Sequence, residues 1–337
     1  MAVIQIDTPR TETGLPNPFA VLGTDVSASE NVADVLTTAN LRGWNVRTRE
    51  MQTVSGVTLS PTGVDTHPEP LRIPNNYAVI RDNPFGGYEE VIGVVGADYT
   101  PRQNEQIEET METLVGESAG KITAAGDFYR NGRQVFFTIE LPVSAQVGGR
   151  DVLNHNLSVF TGHDGSMSTT FVISSIRPMC ANMRSVVLHN GVTSAKVRHT
   201  KNSPERFKFV HRILALGWAE AKKIDEKADI MASAELTDAK FWEIVNTLWT
   251  PSDTPQGNAV RARRDGELED ILHGPTNANI DGTVWAGFNT ITQFLQHGQA
   301  IDDETNARRA LRSQLLPTSD HAKLTRKAED LFLAVAA

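Results

Sequence analysis

Cysteine is nearly absent: Cys180 stands alone among 337 residues. One thiol cannot close an intramolecular bridge, so no disulfide framework supports the fold, and the usage fits a reducing cytoplasm. Metal-ligand spacings are missing too. The nine histidines are scattered, His-x-x-x-His and Cys-x-x-Cys do not occur, and nothing points to a zinc site or another cofactor. No run reaches the ~20 apolar residues that cross a membrane. The opening "MAVIQIDTPRTETGLPNPF" has no basic region ahead of an apolar block, so a secretory leader is not expected. The Gly-x-Ser-x-Gly elbow, the Walker loop and the dinucleotide fingerprint are also lacking. An enzyme is therefore not the expectation, and no small-molecule substrate is evident.

What is present is an ordinary globular composition, 39% hydrophobic and 22% charged, in a chain long enough for about two domains. Residues 1–28 are rich in Thr, Pro and Gly and read as an arm. A helix follows, with Ser27 or Ser29 as its cap, Val32, Val35, Leu36 and Ala39 on one face, and Gly43 at its end. Three hairpin signals come next. "YAVIRD" and "YEEVIGVVGADY" flank "NPFGG"; Asn131-Gly132 joins "AGKITAAGDFYR" to "QVFFTIEL"; Asp164-Gly165 joins "HNLSVFTGH" to "SMSTTFVISSI". Between the first two lies a helix opened by Pro101. This predicts an α+β fold: one continuous antiparallel sheet over 77–176 backed by helices, then a mainly helical part after residue 180. Ser203 and Pro204 open a long helix with Phe207, Val210, Leu214, Trp218, Ala221 and Ile224 as its buried stripe. Helices are expected at "TDAKFWEIVNTLW", "AVRARRDGELEDILHG", "GTVWAGFNTITQFLQHG" and "DHAKLTRKAEDLFLAVA". The division is 1–70 as arm and helix, 71–215 as the α+β core with a basic segment, and 216–337 as a helical region.

Charge is segregated. The chain carries −9, yet residues 184–212 hold Arg184, Lys196, Arg198, Lys201, Arg206, Lys208 and Arg212 against Glu205 alone, a local +6. The rest of the chain sums to −15, so the window reflects either a partner or an ion-pair network of the fold. "KVRHTKNS" has too few apolar residues to be core, and it runs into a helix N-terminus whose free N–H groups favour phosphate. With His199, these seven cations are the candidate nucleic-acid contacts. No aromatic is interleaved for stacking, so sequence-specific readout is not expected.

Two groups invite a chemical role. His163 beside Asp164 in "GHDGS" is either a polar turn residue or a general base or ligand. Cys180 is either a small buried hydrophobe or a nucleophile served by His189 or His199, with Asp164 orienting the base. Gly93 and Gly96 read as strand glycines at a bulge or tight contact.

The blocks "YAVIRDNPFGGYEEVIGVVGADYTPRQNEQ", "GHDGS", "IRPMCANMRSVV", "VRHTKN" and "GTVWAGFNTITQFLQH" occur in that order. The sequence from about Trp44 to His297 thereby resembles a phage/plasmid-like domain-of-unknown-function family that includes prophage YfjQ-like proteins. The resemblance implies a mobile-element protein working in the host cytoplasm and carries no activity onto named residues. The order of hairpins, helix and basic segment is also similar to single-strand annealing proteins of the RecT, Redβ and Erf kind, which form rings or filaments on DNA. Two readings follow: a homo-oligomeric, non-specific binder of single-stranded DNA that promotes annealing, or an assembly or host-interaction protein whose cations meet an acidic neighbouring subunit. An enzyme built on His163, Cys180 or His199 is the third.

Overall fold

A computed structural model describes residues 17–54, 57–60, 63–66, 70–192, 204–250, 254–298, 303–316 and 318–337. In chain order the elements are α1 (Pro18–Leu22), β1 (Thr24–Asp25), α2 (Val32–Thr38), β2 (Arg47–Gln52), β3 (Val57–Ser60), β4 (Gly63–Thr66), β5 (Arg72–Asp82) and β6 (Glu89–Val95). A 3-10 turn (Asn104–Ile107) leads into α3 (Glu108–Ser118), followed by β7 (Lys121–Asp127), β8 (Gln134–Val147), β9 (Asp151–Gly162), β10 (Thr169–Arg177) and β11 (Asn182–Val192). The remainder is helical: α4 (Pro204–Ser233), α5 (Asp238–Leu248), α6 (Pro255–Leu272), α7 (Val284–His297), α8 (Glu304–Leu315) and α9 (Asp320–Ala336). The α+β class holds.

The single continuous sheet does not. The second and third hairpins lie in a six-stranded antiparallel sheet of order β1-β7-β8-β9-β10-β11, but the first belongs to a separate three-stranded sheet, β2-β5-β6. The cause is at the seam between them. A Cβ on Gly93 would lie 2.6 Å from Cβ of Asp164, so β6 packs side-on against the β9–β10 turn instead of pairing with it. Gly93 is thus the tight contact expected, whereas Gly96 falls just beyond the strand. Nor does the chain turn helical at residue 180: Ala181 takes φ 53° and reverses it into β11.

The central strands are buried on both faces. Along β8, Val135, Phe137 and Ile139 join a core with α2, α3 and α4, while Phe136 points oppositely with Phe160 and Val172 toward α1 and α8. This period-two alternation is what a pleated strand covered on both sides requires. The 30-residue α4, roughly 45 Å long, runs across two cores: Val210, Ile213 and Leu214 enter the first, and Ile224, Ala228 and Met231 enter a helical one with Phe241, Phe288 and Phe332. The expected boundary at 215/216 therefore falls inside a continuous helix. His155 of β9 ties α4 down, with Nδ1 2.8 Å from Ser175 Oγ and Nε2 3.2 Å from Asp225 Oδ2.

Local signals were shifted. Asn31, not Ser27 or Ser29, caps α2 by accepting from Asp34 N at 2.9 Å, and the helix ends at Thr38, ahead of Gly43. Pro101 precedes the first turn; Gln103 makes a reciprocal capping box with Gln106 instead. Two helices, α1 and α8, went unanticipated, the latter capped by Asp303.

The sheet and the helical core meet at a buried ion pair. Arg177 Nε donates to Asp151 Oδ2 at 2.5 Å with both side chains 1% exposed. Trp285 Nε1 donates to the same carboxylate oxygen at 2.8 Å, and Arg177 Nη1 and Nη2 reach Thr276 O and Asn279 Oδ1. Removing one partner would strand a buried charge. Asp151→Ala is expected to cost about 3–5 kcal/mol of folding free energy, read from urea unfolding; a midpoint matching the wild type would refute this account of the joint.

Candidate nucleic-acid interface and neighbouring sites

The eight candidate contacts separate into three groups. Lys196, Arg198, His199 and Lys201 lie outside the described residues, and Arg206 lies on α4 with its side chain outside them. His189, named as a base, is likewise on β11 without a described side chain. Lys208 and Arg212, four residues apart on α4, are exposed, and among the described residues neither has an ion-pair partner. They stand opposite the face that carries Val210, Ile213 and Leu214, so the helix is pinned by its apolar stripe and presents the two cations outward.

Arg184 belongs to a different setting. Its Nη2 is 2.5 Å from Glu329 Oε1, and Lys227 Nζ is 3.3 Å from Oε2 of the same carboxylate, which is 5% exposed. These residues line a cleft of about 420 Å³ between β11, α4, α8 and α9, together with Glu220, Arg326 and Asp330. Arg184 therefore fastens β11 to α9. Simple charge counting could not separate it from Lys208 and Arg212, because its partner lies 145 residues away.

Neither chemical candidate has an open approach. His163 is 1% exposed, 5.5 Å from the Trp44 ring, and its Nε2 lies 2.8 Å from Asn104 Oδ1. Asn104 Nδ2 donates to Leu41 O at 2.7 Å, which fixes the amide and makes Nε2 the donor of the imidazole. The guanidinium of Arg81 covers Trp44 at 3.9 Å and bonds Glu90 and Asp127, whose Oδ2 also accepts from Gly132 N. Gly132 has φ 75°, and a Cβ there would strike Arg81 at 2.5 Å, so this turn needs glycine for both conformation and space. Around His163 is a packed joint between the two sheets. Cys180 is fully buried, with Arg177 Nη1 3.4 Å from its Sγ; burial pushes its thiol up, against the pull of that guanidinium. The apolar setting expected for it is in fact a polar one. Among the described residues no group of three His, Cys, Asp or Glu could hold a metal ion, and no helix is long and apolar enough to cross a membrane.

The model of the family called Domain of unknown function (DUF932) matches residues 91–327, most of the chain, and the protein belongs to that family. Comparisons with curated proteins and with solved structures gave no match.

Burial, and next the nearby Arg81, lowers the pKa of His163 to about 4. The unfolded chain, at the ordinary 6.5, takes up this proton first. Stability from the neutral ring is intact above pH 6.5 and is lost as pH falls toward 4, at up to about 1.4 kcal/mol per pH unit. A histidine NMR titration should place the His163 midpoint near 4, and a midpoint of 6 or higher would contradict the buried joint. Cys180→Ser puts a hydroxyl within reach of Arg177, so its cost should stay within about 1.5 kcal/mol. In the native wild type, a thiol reagent should label Cys180 only at the rate of unfolding. Fast labelling of the folded protein would reopen the nucleophile reading.

Proposed function

We propose that the protein binds single-stranded DNA without sequence preference, through the cations that lead into and continue along the first turns of α4. The observation that carries this is the pair Lys208 and Arg212: both are exposed, and among the described residues neither is neutralised within the fold. They sit at the start of a 30-residue helix, whose N-terminal dipole end adds to the attraction for phosphate. Lys196, Arg198, Lys201 and Arg206 extend the same charge in sequence, giving a strip suited to phosphate contacts, which position a strand and carry no base information. The family resemblance supports a mobile-element origin and a place in the host cytoplasm. The separate three-stranded sheet removes the architectural argument for strand annealing, so binding alone is proposed.

Fluorescence anisotropy of labelled oligonucleotides across a salt series tests it. Binding should weaken steeply with salt and equally for different sequences. Lys208→Gln with Arg212→Gln should reduce the log–log salt slope by about 1.4, at roughly 0.7 per lost phosphate contact. Absence of binding at low salt would sink the proposal. If the double variant changed oligomer size in light scattering and left DNA affinity alone, an acidic neighbouring subunit would be the partner instead.

A further inference from the structure

A second group of cations gathers where α8 meets the β7–β8 turn. Arg308, Arg309 and Arg312 come from α8, and Arg130 comes from the turn, where φ is 58°. The carboxylate bonded to one of these four guanidiniums is that of Glu304, which Arg130 holds. Arg308 is 4% exposed and donates to the carbonyl of Val21. Arg312 donates to Phe128 O at 3.2 Å and lies 5.3 Å from the ring centroid of Tyr129, while the exposed Arg309 reaches Asn306 Oδ1 at 3.2 Å.

These groups feel one another. Burial lowers the pKa of Arg308 to about 10, and Arg130 and Arg312 add to the effect, outweighing the opposite pull of Glu304 and Asp127. Arg312 is lowered by burial and by Arg130 and Arg309, against the pull of Tyr129. Asp127 is already taken up by Arg81 and the Gly132 N–H. Like charges brought together and partly dried destabilise the surface that holds them, and an anion relieves that cost. Guanidinium suits phosphate geometrically, offering paired donors in a plane. The cluster also contains what the 184–212 window lacks: a half-buried aromatic ring set among cations, the pairing on which an unstacked base can rest.

We propose that Arg130, Arg308, Arg309 and Arg312 contact the phosphodiester backbone of single-stranded DNA, with Tyr129 as a stacking platform for a base. This rests on the single-strand-binding function above and gives it a second contact surface, on elements other than α4. Arg309 and Arg130 are the outward contacts; Arg308 and Arg312 are held by backbone carbonyls and set the field. An acidic face of a second copy fits the charges but gives Tyr129 no role.

A 5-iodouracil-substituted oligodeoxynucleotide, photo-cross-linked to the full chain and mapped by mass spectrometry, should leave an adduct on the tryptic peptide 122–130 that contains Tyr129. The double variant Arg130→Gln, Arg309→Gln changes exposed side chains and should fold normally. It is expected to lower the salt slope by about 1.4 and to lose most of the adduct. Adducts confined to 193–212, with this variant binding as tightly as wild type while Lys208→Gln/Arg212→Gln loses affinity, would overturn the second surface and leave the first standing. Wild type that binds no oligonucleotide at low salt defeats both. A changed oligomer size with unchanged DNA affinity would assign the cluster to a second copy and overturn the proposal equally.

Discussion

The Asp151–Arg177 pair makes the sheet and the helical core conditional on each other. Both ends of the pair come from the sheet, at the start of β9 and the end of β10, but their remaining hydrogen-bond capacity is met from the helical part. Trp285, Thr276 and Asn279 lie about a hundred residues further along the chain. A buried ion pair gains little over apolar packing, yet it is costly when half satisfied. Docking α6 and α7 anywhere else would leave the guanidinium short of acceptors. The next residues extend the lock: Asn182 Nδ2 donates to Asn289 O at 3.0 Å, and the Gln296 amide donates to and accepts from the backbone of Met183 at 2.9 and 2.8 Å. A side-chain amide thus pairs with the outer edge of β11 where another strand would otherwise attach.

A second joint stands at the far end of the same hairpin. His163 follows β9 directly, twelve residues and roughly 40 Å of extended chain from Asp151, and there Trp44, Arg81 and Asn104 bind the three-stranded sheet to the large one. The blocks that carry the family resemblance fall largely on these two places. "YAVIRD" supplies Arg81 and "GHDGS" supplies His163; "IRPMCANM" supplies Arg177, Cys180 and Asn182; "GTVWAGFNTITQFLQH" supplies Trp285, Asn289 and Gln296. Residues that look chemical in the sequence, a histidine beside an aspartate and a lone cysteine beside an arginine, are spent on holding layers together.

Much of the architecture was legible because it rests on local physics. The Asn131-Gly132 and Asp164-Gly165 turns join strands as expected, since Gly132 and Gly165 take φ 75° and 77°, and the α4 stripe followed from apolar spacing alone. What escaped depends on distance in space. No local pattern tells whether the "NPFGG" hairpin pairs with the next one or packs against its turn; that is decided by the Gly93–Asp164 contact, 71 residues apart in sequence. β11 was hidden because "IRPMC" contains a proline, while the reversal hinges on Ala181 in a left-handed conformation that an alanine gives no sign of. Helix α8 has many charged and few large apolar residues, so its buried face, Arg308, Ala310, Leu311, Gln314 and Leu315, does not read as a hydrophobic stripe.

The candidate site was legible as charge and illegible as chemistry for one reason: sequence counts cations, whereas the fold decides which of them remain available. Arg81, Arg177 and Arg184 are neutralised by Glu90, Asp151 and Glu329 inside the structure, and they contribute little field outside it. Lys208, Arg212 and Arg309 are exposed and, among the described residues, meet no carboxylate. The surrounding net charge of the chain does not cancel them. At physiological salt the Debye length is about 8 Å, so exposed acidic groups elsewhere on a molecule several times that size are largely screened from an approaching strand. Local sign therefore outweighs a total of −9, and an acidic protein can present a basic face to a polyanion. The same screening makes contact with phosphate short-ranged. Affinity then depends on how many outward cations a strand can touch at once, and so on whether the α4 and α8 surfaces engage one strand together.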